Sequence, residues 1–446
     1  MHGTFVAQRP CGRSRGRGAF EGGCSVSKLM DETDYHSTML ELIAEFAQIG
    51  RSPTGAGVTR LAYSASDWRA RERFLELCRA DGMSARLDAA GNVVARRLGR
   101  KPDLPAVAIG SHLDTVREGG RLDGALGVMA ALEVVRRLNR EGLATDRSIE
   151  VIAFAGEEST RFSLATIGSR AMAGLLDVAS AAALKDEQGS TLADAVKARG
   201  LRLADFPQAR RRQGELAAFI ELHIEQGPTL EAAGAAIGLV TAIAAATRYR
   251  IVIDGVAGHS GTTAMGMRHD ALAAAAQVVL LVEQLAGAER RADTGTVGVL
   301  RVWPGSPNTI PARVELIAEF RAADQTKKRD LSVLWQRRLQ EIAHNRRVRI
   351  EADMLSDDTP VALPDAVRSA VREACETGGH GYREMVSGAA HDCMNMAALC
   401  PAGLIFIPSV RGVSHHPDEE SRAEHLLAGV DVLYRTVIRL AAGSAR

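Results

Sequence analysis

The sequence predicts an α/β fold into which a small α+β domain of the ferredoxin-like type is inserted. Three observations favour this class. Apolar strand-like runs alternate with amphipathic helical segments, a β-α-β-β-α-β order occupies residues 246–355, and the first alternation then resumes. We therefore expect a discontinuous main domain, residues 31–245 and 356–446, with a mostly parallel central sheet. A chain of 446 residues is long enough for two or three domains.

The elements of the main domain are predicted from hydrophobic periodicity. Strand 149–154 reads IEVIAF, and such a nearly continuous apolar run suits a sheet that is covered on both faces. Before the insertion we expect, in order, helices 36–48 and 66–80, a strand-like run 84–98, strand 106–110, helix 125–141, strand 149–154 and strand 218–222. After it we expect helix 364–377, strand 382–386, helix 392–399, strand 403–407 and helix 422–441.

The inserted domain is predicted from six elements in the order of a split β-α-β arrangement. These are strand 248–255, helix 270–285, strands 296–303 and 313–322, helix 325–344 and strand 348–354.

Residues 1–30 differ from the rest of the chain. Four arginines lie there among Gly and Ser, the first acidic residue is Glu21, and no apolar segment of a secretory signal follows. An Arg-rich, acid-poor start is also found in organelle transit peptides. Because an amphipathic helical pattern is missing, we favour a disordered arm or a start codon assigned too early.

The composition argues against several classes of function. The 55 basic residues balance 54 acidic ones, and a net charge of +1 provides no global field that would attract nucleic acid or an anionic membrane. Aromatic residues make up 4%, too few for base-stacking platforms. No run of about 18 apolar residues predicts a membrane-spanning helix. The six cysteines have neither CxxC nor repeated spacing, which favours reduced thiols in a cytoplasmic protein.

Polar side chains follow the ends of the apolar strands. The set comprises His112 after strand 106–110, Glu158 after strand 149–154, His223 after strand 218–222, His415 after strand 403–407, and Asp123 at the start of a helix. Ligands bind at the carboxyl ends of parallel strands, so we expect these groups to converge. Mixed imidazole and carboxylate ligands suit Zn²⁺, Mn²⁺, Co²⁺ or Ni²⁺. A lone His at a strand end is more often an ordinary loop residue, and it is the convergence that favours a metal site.

Neighbouring residues suggest further roles. Asp123 could bridge two metal ions, because a carboxylate has two oxygens. Asp114 lies two residues beyond His112 on an extended segment, and its side chain could hydrogen-bond the far nitrogen of that imidazole. Glu157 and Glu158 are consecutive and should point different ways, so one could bind metal while the other acts as a general base.

With these residues in place, the sequence resembles the hydantoinase/carbamoylase family of dinuclear metal amidases, a branch of a metallopeptidase clan. The resemblance covers residues 57–419. The matching segments are GVTRLAYS (57–64), GSHLDTVREGGRLDGALGV (110–128), GEESTRF (156–162), GSRAMAG (168–174), ELHIEQGPTLE (221–231), GVAGHSGTTAMGMRHDAL (255–272), PNTIP (307–311), SGAAHD (387–392) and PSVRGVSHHPDE (408–419).

The resemblance implies a metallopeptidase-like catalytic domain that binds two metal ions. His112 and His223 would hold one ion, Glu158 and His415 would hold the other, and Asp123 would bridge them.

Further roles follow from the same resemblance. Glu157 would be the general base, and Gln226 would lie at the substrate site. In the inserted domain, His259 would stabilise the oxyanion, often from the partner subunit, and Asn308 and Arg321 would bind the substrate. Arg321 would pair with its carboxylate, for which a planar guanidinium is well suited. The inserted domain would be both the lid and the dimer interface of a homodimer.

The sequence departs from the family pattern at a few positions. His416 stands where Ser or Asn is usual, which leaves open whether His415 or His416 is the ligand. Ala390, Glu319 and Ser163 replace other residues near the expected pocket wall and could shift substrate preference.

The activity implied by the resemblance is hydrolysis of the ureido group of N-carbamoyl-L-amino acids, which releases the amino acid, ammonia and carbon dioxide. Allantoate amidohydrolase activity in purine degradation is the alternative, and the motifs do not separate the two. Peptidase or aminoacylase activity is disfavoured by His223 and Gln226. A non-catalytic ligand-binding protein on the same fold is disfavoured because all five ligands and Glu157 are present. We expect a small-molecule substrate and neither a nucleic-acid nor a membrane partner.

Overall fold

The computed structural model describes residues 38–53 and 55–443, so the predicted arm at residues 1–30 lies outside the described residues. The helices are α1 (38–48), α2 (Ala65–Ala80), α3 (Ala125–Arg140), α4 (Ile167–Ala173), α5 (Val178–Ala182), α6 (Leu192–Lys197), α7 (Thr229–Ala233), α8 (Ala271–Ala286), α9 (Gln325–Arg346), α10 (Asp365–Gly378), α11 (Asp392–Met396) and α12 (Ala423–Ala441). Within these ranges, every helix is too short or too polar to span a bilayer.

The strands belong to one large sheet and two smaller ones. They are β1 (Ser84–Leu87), β2 (Val93–Arg97), β3 (Ala106–His112), β4 (Ile149–Phe154), β5 (Leu216–Ile224), β6 (Ile237–Ile243), β7 (Ala245–Asp254), β8 (Gly258–His259), β9 (Thr294–Trp303), β10 (Thr309–Ile310), β11 (Arg313–Ala322), β12 (Arg349–Asp357), β13 (Val361–Ala362), β14 (Tyr382–Ser387) and β15 (Ala402–Ile407).

The large sheet has the strand order β1-β2-β4-β3-β5-β15-β6-β13, and β14 also pairs with β6. Its centre, β4-β3-β5-β15, is parallel, whereas β1, β2 and β13 pair antiparallel at the two edges. The predicted α/β class with a mostly parallel central sheet is therefore confirmed.

Two hydrophobic cores cover this sheet, one on each face. Ile149, Val151 and Ala153 of β4 belong to the core formed with α1, α2, α3, α10 and α12, whereas Ile152 and Phe154 belong to the core formed with α4, α7 and α11. Successive side chains of a strand point to opposite faces, so a strand buried on both sides needs apolar residues at consecutive positions. This requirement explains the apolar run IEVIAF.

A second, antiparallel sheet has the strand order β12-β7-β11-β9 and spans Ala245 to Asp357. Helices α8 and α9 pack on one face of it, where Phe320 meets Trp335 with ring centroids 5.1 Å apart. The elements follow the expected β-α-β-β-α-β order. Strand β7 begins two residues after β6 ends at Ile243, so the chain passes from the large sheet into the small one almost without a linker.

Some elements differ from the sequence-based expectation. The run 84–98 forms two antiparallel strands, because Asp88 accepts hydrogen bonds from the backbone N–H groups of Ala90 and Asn92 and closes a turn between them. Helix 392–399 is shorter than expected and ends at Met396. Strand β6 and helices α4–α7 were not predicted, since short segments rich in Gly and Ala carry little periodicity.

Candidate metal centre

The carboxyl ends of β3, β4, β5 and β15 meet at one edge of the large sheet. His112 is the last residue of β3, and His223 is the second last of β5. Glu158 follows β4, His415 lies in the loop after β15, and Asp123 stands two residues before α3. The parallel arrangement therefore brings together side chains that are far apart in sequence.

One oxygen of Asp123 faces two imidazoles. Its Oδ1 lies 3.4 Å from Nε2 of His112 and 3.3 Å from Nε2 of His223. All three side chains are buried.

The other oxygen of Asp123 faces a second group. Nε2 of His415 lies 3.3 Å from Asp123 Oδ2 and 3.3 Å from Oε1 of Glu158. In each of the two groups the possible ligand atoms all lie within 4.8 Å of one another. The structure thus sorts the five predicted residues into two sets of three that share Asp123.

The chemistry of this donor set fits divalent metal ions. Hydrogen bonds to Asp123 and Glu158 raise the pKa of the His415 imidazole to about 10, so the field of the carboxylates favours a positive charge at this point. Imidazole nitrogens and carboxylate oxygens that converge in a largely buried site are typical ligands of zinc, manganese, cobalt or nickel.

Two backbone carbonyls orient the buried imidazoles. Nδ1 of His112 lies 2.9 Å from the carbonyl oxygen of Asp114, and Nδ1 of His223 lies 2.9 Å from that of Ile224. A carbonyl only accepts, so each Nδ1 carries the proton and each Nε2 presents its lone pair to the centre. The backbone N–H of Gly124 donates to Nε2 of His223 at 3.3 Å.

The expected role of the Asp114 side chain needs correction. Its carboxylate is 3.9 Å from His112 Nδ1 and instead accepts hydrogen bonds from the backbone N–H groups of Glu157 and Glu158, at 3.2 and 3.0 Å. The reason is that β3 and β4 are parallel neighbours, so the segments that follow them run side by side. Asp114 therefore fixes the position of the two glutamates, and its backbone carbonyl orients His112.

Glu157 and Glu158 point to different parts of the centre. Oε2 of Glu157 lies 3.7 Å from His112 Nε2, whereas Glu158 contacts His415. Burial raises the pKa of the Glu157 carboxyl well above its usual value, against the opposing effect of His112, and the neighbouring charge of Glu158 raises it further. These surroundings thus favour the protonated form of the Glu157 carboxyl more than water would.

The structure places His415 in the centre and leaves His416 outside it. His415 has a left-handed backbone conformation with φ of 55°, which is uncommon for a residue with a side chain. The ring of His416 is exposed, and its Nδ1 accepts a hydrogen bond from the backbone N–H of Asp418.

Gln226 also reaches the centre. Its Nε2 donates a 2.7 Å hydrogen bond to Asp123 Oδ2 and lies 3.4 Å from Nε2 of His415. Its Oε1 is buried and has no hydrogen-bond partner among the described residues.

Two further predicted residues, His259 and Asn308, lie at the two-stranded sheet formed by β8 and β10. His259 of β8 pairs with Thr309 of β10, and the carbonyl of Asn308 accepts a hydrogen bond from Ser260 N. In the described part of the chain, neither the His259 nor the Asn308 side chain forms a hydrogen bond or ion pair with the five candidate ligands. The Nδ1 atom of His259 accepts from the backbone N–H of Gly261.

Arg321 connects the small sheet to the large one. Its Nη1 donates to the carbonyl of Gly388 at 2.8 Å, and its Nε donates to Glu319 Oε1 at 2.7 Å. The segment that contains Gly388 continues to His391, a buried residue that our sequence analysis did not single out. The ring of His391 packs edge-on against His223, with centroids 4.7 Å apart. The only signal for it in the sequence was its place in the SGAAHD segment.

Comparison with known proteins gives a consistent result. The profile of peptidase family M20/M25/M40 matches residues 108–439. The chain is 43% identical over 406 residues to an N-carbamoyl-L-amino acid amidohydrolase of Geobacillus stearothermophilus, which covers 90% of this chain and 97% of that protein. It is 33% identical over 411 residues to an allantoate amidohydrolase of Escherichia coli K12, with 92% and 99% covered. A solved amidase of the hydantoinase/carbamoylase family from Burkholderia multivorans superposes with a TM-score of 0.84 at 35% identity, over 92% of this chain and 98% of that one.

Proposed function

The chain belongs to peptidase family M20/M25/M40, and we propose that it hydrolyses the ureido group of N-carbamoyl-L-amino acids, releasing the amino acid, ammonia and carbon dioxide. The observation that carries this proposal is the pair of three-residue groups that share Asp123, beside a buried glutamate that belongs to neither group. The relative from Geobacillus stearothermophilus, at 43% identity, supports the choice of substrate class.

We propose that the centre binds two divalent metal ions. His112 and His223 would hold one, Glu158 and His415 the other, and Asp123 would contribute one oxygen to each. Support comes from the way in which the two oxygens of Asp123 face the two groups. The ions would supply Lewis acidity, which polarises the substrate carbonyl and makes water a better nucleophile.

Glu157 is the general base of the proposed reaction. It takes a proton from the attacking water, whose oxygen forms a bond to the carbamoyl carbon, and it delivers the proton to the nitrogen that leaves when one C–N bond breaks. The carbamic acid that remains then loses carbon dioxide, which breaks the second C–N bond and frees the other nitrogen. Its burial supports this role, because a raised pKa lets the carboxyl group hold the proton between the two steps.

The remaining predicted residues would bind the substrate. Gln226 would contact it beside the metal centre, where its Oε1 lacks a partner among the described residues. Arg321 would pair with the substrate carboxylate, and Asn308 and His259 would close over the ureido group when the inserted domain moves as a lid. His259 would stabilise the oxyanion.

We further propose a homodimer that associates through the inserted domain and acts in the cytoplasm. Leu280, Leu300 and Trp303 expose apolar surface on that domain, which supports an interface.

The four cysteines of the described residues are free thiols, which agrees with a reducing compartment.

Allantoate hydrolysis is the second candidate activity, favoured by the similarity to the Escherichia coli relative. To separate the two, ammonia release should be measured from Mn²⁺- or Co²⁺-loaded protein with N-carbamoyl-L-methionine and allantoate in parallel, and with the Glu157→Gln variant as the control. Release from the carbamoyl amino acid alone is the expected result. Release from allantoate alone would replace the proposed substrate and keep the mechanism. No release from either, by protein that holds two metal ions, would contradict the proposal.

A further inference from the structure

Glu419 is a buried carboxylate beside the metal centre that none of the roles above uses. It lies in the loop after β15 and is 3% exposed. Its Oε1 accepts hydrogen bonds from the backbone N–H groups of Leu122 and Asp123, both at 3.0 Å. Its Oε2 lies 2.9 Å from the hydroxyl oxygen of Ser414.

These contacts join two loops. One loop supplies Asp123, the candidate ligand that both groups share, and the other supplies His415, the most exposed of the five candidate ligands. Leu122 and Asp123 belong to the loop between β3 and α3, and Ser414 directly precedes His415. The Ser414 hydroxyl oxygen also lies 3.2 Å from Asp123 Oδ2. Glu419 thus contacts the backbone of the candidate bridging residue and, through one hydroxyl group, the segment that presents His415.

The surrounding chain is shaped to hold this carboxylate. A Cβ atom at Gly120 would lie 2.1 Å from Glu419 Oε1 and 2.3 Å from its carboxyl carbon. Only a glycine lets the loop before Asp123 close over the carboxylate, because such distances are far below van der Waals contact. Since its oxygens already accept N–H and O–H donors, and since it belongs to neither ligand group, Glu419 is not itself a candidate ligand.

We propose that Glu419 is a positioning residue that couples the two halves of the metal centre. By holding the backbone at Asp123 and the hydroxyl of Ser414 together, it fixes the bridging carboxylate relative to His415. This inference rests on the proposed function only in that Asp123 bridges two ions. Removal of the Glu419 side chain leaves two buried N–H groups without an acceptor and frees the His415 loop.

The test compares three variants with the wild type. Glu419→Ala removes every contact. Glu419→Gln keeps an oxygen for the two N–H groups, and its amide can donate to Ser414 in place of accepting from it. Gly120→Ala leaves Glu419 in the chain and displaces its carboxylate. Each purified protein is loaded with Mn²⁺ and dialysed, and its metal content and its metal affinity against a competing chelator are then measured.

Asp88→Ala is the matched control. Asp88 is also buried and accepts from two backbone N–H groups, those of Ala90 and Asn92, both at 2.9 Å, and from one side-chain donor. Its contacts lie in the turn between β1 and β2. The Asp88→Ala variant therefore shows the effect of losing the same kind of hydrogen bonds outside the metal centre. Urea unfolding of each variant measures its loss of stability.

Glu419→Ala and Gly120→Ala are expected to weaken the binding of at least one of the two ions tenfold or more, and to lower kcat more than they raise KM. Glu419→Gln is expected to restore both ions. Asp88→Ala should keep both ions even when it is destabilised to a similar extent. Wild-type affinity for both ions in folded Glu419→Ala or Gly120→Ala would overturn the inference. If the wild-type protein binds two ions but releases no ammonia from ureido acids, that result refutes the proposed function and leaves the inference about Glu419 standing.

Discussion

The separate roles of two consecutive glutamates provide the sharpest test of the mechanism. Glu157→Gln and Glu158→Gln change neighbouring residues by the same isosteric substitution. The backbone N–H groups of both are held by the Asp114 carboxylate, so neither change should displace the segment. The two side chains differ in their surroundings, since Glu158 contacts His415 and Glu157 points towards His112.

The expected magnitudes follow from these positions. Loss of a general base costs about 10²–10⁴ in rate, and Glu157→Gln should lower kcat by that factor while both metal ions stay bound. This corresponds to about 3–5 kcal/mol of activation free energy. Glu158→Gln exchanges a charged carboxylate ligand for a neutral amide, so it should lose one of the two ions.

The assay combines kcat for ammonia release with the metal content of the same preparation, and the two variants serve as controls for each other. A kcat of Glu157→Gln within tenfold of the wild type would refute Glu157 as the base. Loss of an ion from Glu157→Gln together with two ions in Glu158→Gln would reverse the two roles.

Three further predictions concern single side chains. Asp123→Ala should lower the metal content, because both ligand groups lose their shared carboxylate, and two tightly held ions in this variant would contradict the bridge. Arg321→Ala should raise KM for the carbamoyl amino acid about 10–100-fold, because it removes a hydrogen-bonded charge pair. KM for the corresponding carboxamide should stay unchanged. An equal rise for both substrates would argue against a carboxylate clamp. Arg60→Met should lower the free energy of unfolding in urea by about 3–5 kcal/mol, because the buried guanidinium donates to the carbonyls of Phe46, Ile49 and Leu113; a loss below about 1 kcal/mol would contradict that reasoning.

The contacts of Arg321 link the small sheet to the segment after β14 that leads to His391. One of its donors is already bound to Glu319, which also accepts from Arg248. Glutamate at position 319 thus holds the guanidinium from the side of the small sheet, while the carbonyl of Gly388 binds it from the side of the large one. In the proposed function, a substrate carboxylate would compete for these donors, and substitution of Glu319 would then change substrate preference.

The sequence alone determined the fold class, and it predicted the candidate residues of the centre. Apolar runs such as 149–154 and the helical periodicity of 125–141 are local properties, and these two elements formed within one residue of the expected bounds. The predicted ligands stand next to these elements, so the sequence also indicated that they would meet at one sheet edge. The family profile, matching residues 108–439, agrees with the resemblance seen in the motifs.

Tertiary structure decided how these residues meet. Whether His415 or His416 enters the centre depends on the positive φ of His415, which the HH pair does not reveal. That the carbonyl rather than the carboxylate of Asp114 orients His112 depends on the neighbouring segment after β4. Glu419 binds a backbone N–H group 297 residues away in sequence, at Leu122. Hydrophobic periodicity indicates which face of a helix or strand is buried. The direction of a loop side chain is instead set by contacts with distant segments. These contacts exist only once the chain has folded.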